Sequence, residues 1–141
     1  MANTSISEVR ICNMALSRLG ASGTIEDLNE NSAEAQACNL WYNYARKQSL
    51  AGFKSILCDL DDAVGVYTFD LTEVTLFSEF FISLLATNIA AYIAFSVTGK
   101  QDMEEKMAFR YAQLLQTAPA SNANEQVGRP PRDAEWIRGR F

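Results

Sequence analysis

Apolar residues recur every three or four positions in four stretches of the chain, which is the spacing of one buried face of an α-helix. The first helix is predicted to start at Ser5, whose spacing to Glu8 is that of a capping box, and to stop at Gly20. The second is predicted over about 32–50, where Asn31 or Ser32 can cap its start and a glycine stands just past its end.

The third and fourth predicted helices follow one another closely. The third, over about 75–98, carries no charge after Glu79 and is apolar on most faces, so we expect it at the centre of a bundle. The fourth is predicted to begin near Gln101 and to end before Pro119. The short connection between the two predicts an antiparallel αα-hairpin.

Two segments depart from helical spacing. Residues 54–72 contain β-forming residues around Gly65, which favours a short β-hairpin or extended loop. Residues 119–141 contain all three prolines and no long apolar stripe, which favours an extended C-terminal arm. The predicted fold class is therefore mainly α: a small four-helix bundle over 1–118, with the irregular excursion between helices 2 and 3, followed by the arm.

Composition supports this picture and excludes several function classes. A chain of 141 residues, 48% hydrophobic, has the size of one globular domain, and its net charge of −5 argues against a general nucleic-acid binder. The sequence has no His, which excludes His-based triads and imidazole metal ligands. The three cysteines form no CxxC pair and suit a reducing compartment; Cys12 and Cys38 fall at apolar helical positions and are predicted as core residues.

No catalytic, cofactor or metal site is predicted, and we expect the protein not to be an enzyme. No nucleophile and base are paired, and carboxylates such as Glu104 and Glu105 are adjacent on a helix and point to different faces. The aspartates at positions 59, 61 and 62 lack the Gly and Glu that an EF-hand loop requires at fixed positions, so a solvated acidic turn is the prediction.

A membrane span has to be considered, because residues 80–99 are twenty consecutive uncharged residues. The run contains Ser83, Thr87, Asn88, Ser96 and Thr98. A central Asn would need a partner in hydrocarbon, and the flanking charges give a poor topology signal. A buried core helix and no membrane partner are therefore predicted, with a membrane-anchored helix hairpin as an alternative. The first residues do not have the pattern of a signal peptide.

Two groups of residues are candidates for protein contacts. Trp41, Tyr42 and Tyr44 cannot all face one core, so we expect subunit contacts among them. The arm combines four Arg with large apolar side chains that no local core covers, which is typical of interface anchors. Its candidate docking residues are Arg129, Pro130, Pro131, Arg132, Trp136, Ile137, Arg138, Arg140 and Phe141.

Several sequence blocks occur in a characteristic order: ICNMALSRLG at 11–20, an Ile and Leu pair within 25–28, NSAEAQAC at 31–38, YARKQSL at 44–50, FSVTG at 95–99 and DAEWIR at 133–138. Their order and spacing resemble the head-to-tail adaptor (connector) proteins of tailed bacteriophages, the tail tubular protein A-like group. The resemblance covers about two-thirds of the chain. Family members often carry an aromatic-rich segment and a longer β-rich insertion where this chain has FKS at 53–55 and a short excursion.

The resemblance implies a structural virion protein that is assembled in the host cytoplasm. Such adaptors form a ring, usually of twelve copies, beneath the portal protein ring; they extend the DNA channel and present a surface to a tail, nozzle or tail-terminator protein. An acidic body lining the channel would let double-stranded DNA pass without sequence-specific binding. The resemblance also implies that the arm docks on the portal and that the excursion faces the tail through Asp59, Asp61, Asp62, Tyr67 and Phe69.

An alternative function remains open at this point. A small helical interaction or regulatory protein could use the same C-terminal Arg/Trp arm to dock on a host partner. Such a protein would be a monomer or dimer and would have no affinity for a portal ring.

Overall fold

A computed structural model of the chain describes residues 6–57 and 70–125, with side chains described over 6–52 and 70–118. These residues contain four α-helices, and within them a single 3-10 turn, Val74–Leu76, precedes the third. The helices are α1 (Glu8–Arg18), α2 (Ala33–Leu57), α3 (Glu79–Thr98) and α4 (Gln101–Glu125). The described residues contain no strand, and the predicted mainly helical bundle is confirmed. Most of the predicted hairpin, at 58–69, and arm residues 126–141 lie outside the described residues.

The centre of the bundle is α3, as its uncharged sequence predicts. It packs against α1, α2 and α4, and twelve of its side chains are buried, from Phe81 to Ala94. Gly99 follows α3 in the left-handed conformation, with φ of 67°, and its amide donates to the Phe95 carbonyl. The chain then reverses directly into α4, so α3 and α4 form the predicted antiparallel hairpin.

The start of α1 differs from the prediction. The capping residue is Ser7, whose Oγ accepts a hydrogen bond of 3.2 Å from the Arg10 amide, whereas Ser5 lies outside the described residues. Ile6, just before this cap, packs against the core and sets the entry of the chain into the helix. The predicted stop is confirmed, because Gly20 has φ of 70° and donates to the Ser17 carbonyl.

The second helix is longer than predicted. Ser32 caps α2 by accepting from the Ala35 amide at 3.2 Å, as expected, but the helix continues through Gly52 to Leu57. Residues 54–57, predicted as part of the excursion, are therefore helical. The glycine serves helix packing here: a Cβ at position 52 would lie 3.3 Å from Leu115 Cδ2 on α4, so its absence lets α2 and α4 approach closely.

The other two helices also differ from prediction at one end. Residues 74–76 form the 3-10 turn, and α3 itself begins after Ser78, whose Oγ accepts from the Phe81 amide. The fourth helix starts at Gln101 as expected but continues through Pro119 to Glu125 instead of ending before the proline. A proline removes one backbone hydrogen bond of a helix, and here Ala118, which is buried, anchors the turn that precedes it.

In the described part of the chain, α3 is the one helix whose length and composition would suffice to cross a membrane. Of the most apolar 18-residue stretch of α3, 67% is buried inside the bundle. Its polar side chains have partners there. Arg18 of α1 donates to Ser83 Oγ at 2.9 Å and to Thr87 Oγ1, while Asn88 donates to groups on α2.

The two described cysteines, Cys12 on α1 and Cys38 on α2, are buried free thiols, as predicted. The neighbouring Cys38 side chain, together with burial, raises the pKa of the Cys12 thiol. Cys58 lies outside the described residues.

Candidate interaction surface

Three aromatic side chains from α2 and α3 form an ordered cluster at the surface, which we call the aromatic platform: Trp41, Tyr44 and Tyr92. The rings of Trp41 and Tyr92 are stacked, with centroids 4.7 Å apart and planes 8° apart. Tyr44 meets both rings edge-on, at 5.8 Å from Trp41 and 5.5 Å from Tyr92. Both arrangements are favoured by the ring quadrupoles, so the three rings hold one another in place.

The platform is open to solvent and is extended by two more apolar side chains. Tyr44 is 56% exposed, and Trp41 and Tyr92 are half-buried. Leu40, next to Trp41 on α2, is 72% exposed. Phe95, which follows Tyr92 by three residues and so shares its face of α3, is 57% exposed. Contiguous exposed apolar side chains of this size are typical of an interaction site on a soluble protein.

A hydrogen-bond network that runs from the surface residue Gln48 to the buried Asn88 holds the platform in place. The Tyr92 hydroxyl donates to Gln48 Oε1 at 2.7 Å. The Asn88 amide, one turn earlier on α3, has hydrogen bonds of 3.1 Å to Gln48 Oε1 and to Ser49 Oγ. Partial burial raises the pKa of Tyr92, so its hydroxyl remains a donor well above neutral pH. These bonds set the register of α2 against α3, and with it the ring stack.

A second set of contacts holds Asp70 and Leu71 against α2. The buried guanidinium of Arg46 on α2 forms an ion pair with Asp70 and donates to the Leu71 carbonyl at 2.9 Å. The hydrogen bond and charge of Arg46 hold the pKa of the Asp70 carboxyl below its usual value. Asp70 and Leu71 are therefore fixed to α2 by one side chain.

The structure separates the three predicted subunit-contact residues. Trp41 and Tyr44 belong to the aromatic platform, whereas Tyr42 is 2% exposed and belongs to the hydrophobic core. Its buried hydroxyl has no hydrogen-bond partner among the described residues, and burial raises the pKa of Tyr42. Tyr42 is therefore removed from the predicted contact set, because its side chain cannot reach a neighbouring subunit.

Two residues of the surface were missed by the sequence prediction. Tyr92 and Phe95 lie in a helix whose apolar composition predicts burial all round, yet α2 and α4 leave part of this face uncovered. The available signal was Tyr92 itself, because a tyrosine in an otherwise aliphatic helix usually brings its hydroxyl to a polar partner or to solvent.

The other predicted contact residues lie outside the described part of the chain. These are the predicted tail-facing residues Asp59, Asp61, Asp62, Tyr67 and Phe69, and the predicted portal-docking arm, Arg129 to Phe141. The described structure bounds both segments, since α2 ends at Leu57, residue 70 is pinned by Arg46, and α4 ends at Glu125.

Among the residues that the structure describes, no group of His, Cys, Asp or Glu side chains is arranged to hold a metal ion. An open, polar cleft of about 310 Å³ lies beyond the C-terminal end of α1. Its lining includes Gly20, Glu34, Val97 and Lys100. It brings one acid and one base near each other but contains no buried polar group aimed into it.

Comparison with known proteins adds no further assignment. No protein-family model matches the chain, and no curated protein matches it. The resemblance to phage adaptors therefore rests on the sequence blocks described above.

Proposed function

We propose that the chain is a structural virion protein, a head-to-tail adaptor that forms a ring under the portal, extends the DNA channel and provides the tail attachment surface. The observation that carries the proposal is the aromatic platform, a partly exposed set of mutually packed Trp and Tyr rings on a small helical bundle. Trp and Tyr dominate the binding energy of protein interfaces. An isolated bundle gains no stability from aromatic side chains that face water. A subunit of an oligomeric ring gains binding energy when a neighbouring subunit covers them.

The platform is well suited to repeated contacts between identical subunits. Its rings lie on two different helices that a buried Asn88 network holds in register, so little conformational freedom is lost when a neighbour binds. A ring built from one kind of subunit needs such a preformed patch on every copy.

The arm supplies the proposed contact with the portal. Residues 119–141 carry four Arg against three acids, whereas residues 1–118 carry eight basic against fourteen acidic residues. Trp136 and Ile137 stand between Arg132 and Arg138, so aromatic and cationic anchors alternate. A segment that orders on binding wraps much surface per residue, at an entropic cost.

The charge of the body suits a channel for DNA. A predominantly acidic wall repels the phosphate backbone and does not retain it, so DNA would slide through without sequence-specific binding. Cationic side chains concentrated in the arm would then serve protein contacts.

The proposal is tested by binding of the chain to the portal ring encoded in the same genome. Trp136→Ala should weaken docking by about 2 kcal/mol, which is about 30-fold in Kd, because it truncates the central aromatic anchor of the arm. Gln126→Ala, in the same segment but without an aromatic ring, is the matched control and should bind like the unmodified chain. Equal binding by both variants would remove Trp136 from the docking site.

A further inference from the structure

The aromatic platform has the chemistry of a proline-binding surface. Grooves lined by Trp and Tyr rings recognise proline-rich segments, because the flat ring faces pack against pyrrolidine rings and the extended polyproline II helix is already formed before binding. Here the stacked rings of Trp41 and Tyr92 present aromatic faces, and the ring of Tyr44 packs edge-on against both of them.

The chain itself contains a segment that fits this surface. Arg129, Pro130, Pro131 and Arg132 form an RPPR sequence shortly after the end of α4. Two consecutive prolines favour polyproline II, and the two arginines can stack on aromatic rings or pair with acids. The third proline, Pro119, lies inside α4, so this is the one Pro-Pro pair in the sequence.

We propose that Pro130 and Pro131 of one copy dock on the aromatic platform of a neighbouring copy, so that successive subunits of the assembly are joined head to tail. This inference rests on the proposed homo-oligomeric ring and specifies how its subunits recognise one another. It assigns the first part of the arm to the neighbouring subunit and leaves Trp136 to Phe141 for the portal.

Chain length shows why the prolines must come from another copy. Pro131 is six residues beyond Glu125 at the end of α4 and reaches at most about 22 Å from it at about 3.6 Å per extended residue. Tyr92 lies six residues before the end of α3, so in the antiparallel hairpin it lies level with Met107, six residues after the start of α4. Met107 is eighteen residues before Glu125, which is about 27 Å back along α4 at 1.5 Å per residue. The prolines of one chain therefore fall short of its own platform.

Charge complementarity favours the same pairing. The arm, residues 119–141, carries a net charge of +1, and the body, residues 1–118, carries −6. An arm is therefore attracted to the body of a neighbouring copy, whereas two arms repel each other. Glu104 is exposed on α4, and in the antiparallel hairpin it lies level with the exposed Phe95 of α3, where it can meet an arginine that flanks the prolines.

The pairing joins two different surfaces of the chain, a platform and an arm. Such an interface is heterologous and produces a closed ring when the rotation between neighbours closes, or a filament when it does not. Every copy offers one platform and one RPPR segment, so every platform of a closed ring is filled.

Trp41 provides a direct readout of platform occupancy. The sequence has two tryptophans, so Trp136→Phe leaves Trp41 as the single emitter, and Pro130→Ala with Pro131→Ala removes the chain's own ligand. A synthetic peptide of residues 124–133 titrated into this full-length triple variant should blue-shift or quench the emission of Trp41 in a saturable manner. The same peptide with both prolines replaced by Ala should bind at least about 10-fold more weakly. Absence of a response to the native peptide, or equal responses to both peptides, would overturn the proposal.

Assembly by mixed variants tests the head-to-tail direction. Leu40→Ser/Tyr44→Ala changes only exposed side chains of the platform face, and Pro130→Ala/Pro131→Ala changes only the arm. Each variant alone should sediment as a monomer under conditions where the unmodified chain assembles, and an equal mixture should form a dimer and nothing larger. Phe109→Ala, which truncates a 67% exposed ring on α4 that is not part of the platform, should assemble normally.

Two outcomes of the mixing experiment would contradict the inference: normal assembly of the platform variant, or a mixture that stays monomeric. Failure of the ring proposal is distinguishable from both. Binding of the RPPR peptide without binding of the portal would support the platform site and contradict the adaptor function. Binding of the portal without binding of the peptide would support the adaptor function and contradict the platform site.

Discussion

At the scale of single residues, a few polar side chains decide how the apolar helix α3 is placed. Asn88 and Thr87 are both buried on α3 and meet different helices: Asn88 binds α2, and Thr87 is held by Arg18 of α1. An apolar helix could otherwise rotate among its neighbours with little change in buried area. The hydrogen bonds select one rotation, and that rotation places Tyr92 beside Trp41.

Removal of the Asn88 side chain tests this role. Asn88→Ala should lower the free energy of unfolding by about 2 kcal/mol, because it deletes a buried group that is 3% exposed and leaves the Ser49 hydroxyl short of a partner. Chemical denaturation measures the change. Ser96→Ala, at an exposed position of the same helix, is the control and should stay within about 0.5 kcal/mol of the unmodified chain. A loss as small as that of the control would contradict a structural role for the network.

The ion pair between Arg46 and Asp70 predicts a dependence of stability on pH. Because Arg46 lowers the pKa of Asp70 in the folded state, the unfolded chain binds more protons at this site, and the pair stabilises the fold at pH values above the usual carboxyl range. This contribution should disappear as the pH falls from about 3.8 through the lowered pKa of Asp70.

Asp70→Asn should therefore be less stable than the unmodified chain at pH 7, and the difference should shrink towards zero in denaturation curves taken at progressively lower pH below 4. Asp102→Asn is the comparison, because its partner Lys106 and Asp102 itself are both largely exposed, and such pairs contribute little to stability. A difference at Asp70 that grows as the pH falls would show that the pair does not act as described.

At the scale of the helices, the sequence predicted starts and stops where a local side chain or glycine controls them. Ser32 and Gly99 act within a few residues of themselves, so their roles can be deduced from spacing alone. The ends of α2 and α4 were missed because Gly52 and Pro119 resemble helix terminators in sequence. Whether they end a helix depends on the packing around them, which local spacing does not reveal.

Substitutions of Gly52 test the close approach of α2 and α4. Gly52→Leu should destabilise the fold by about 1–3 kcal/mol, because the side chain would have to displace Leu115 and Tyr111. Gly52→Ala is the matched control: its Cβ is close to the flexible tip of Leu115 at 3.3 Å and in ordinary contact with the Tyr111 hydroxyl at 3.7 Å. Alanine also favours the helix, so the stability should change by less than about 1 kcal/mol. Thermal unfolding followed by circular dichroism distinguishes the two. Equal stability of both variants would show that the helices are not tightly apposed there.

At the scale of the whole molecule, the sequence predicted a helical bundle with a central α3 but only part of its exposed aromatic surface. Density of aromatic residues identified Trp41 and Tyr44, yet it also selected Tyr42, which the structure places in the core. Periodicity shows which residues share a helix face. It does not show which part of a face the neighbouring helices leave open, and this is why Tyr92 and Phe95 were not predicted as surface residues.

The adaptor function is tested most directly by the mass of the complex that the chain forms with the portal ring from the same genome. The full-length chain should add about one subunit per portal subunit, and a chain ended after Gly128, which lacks the RPPR segment and Trp136, should add none. Native mass spectrometry or sedimentation measures both. Absence of any association with the full-length chain would contradict the adaptor function and favour a helical protein that binds a host partner through the same arm.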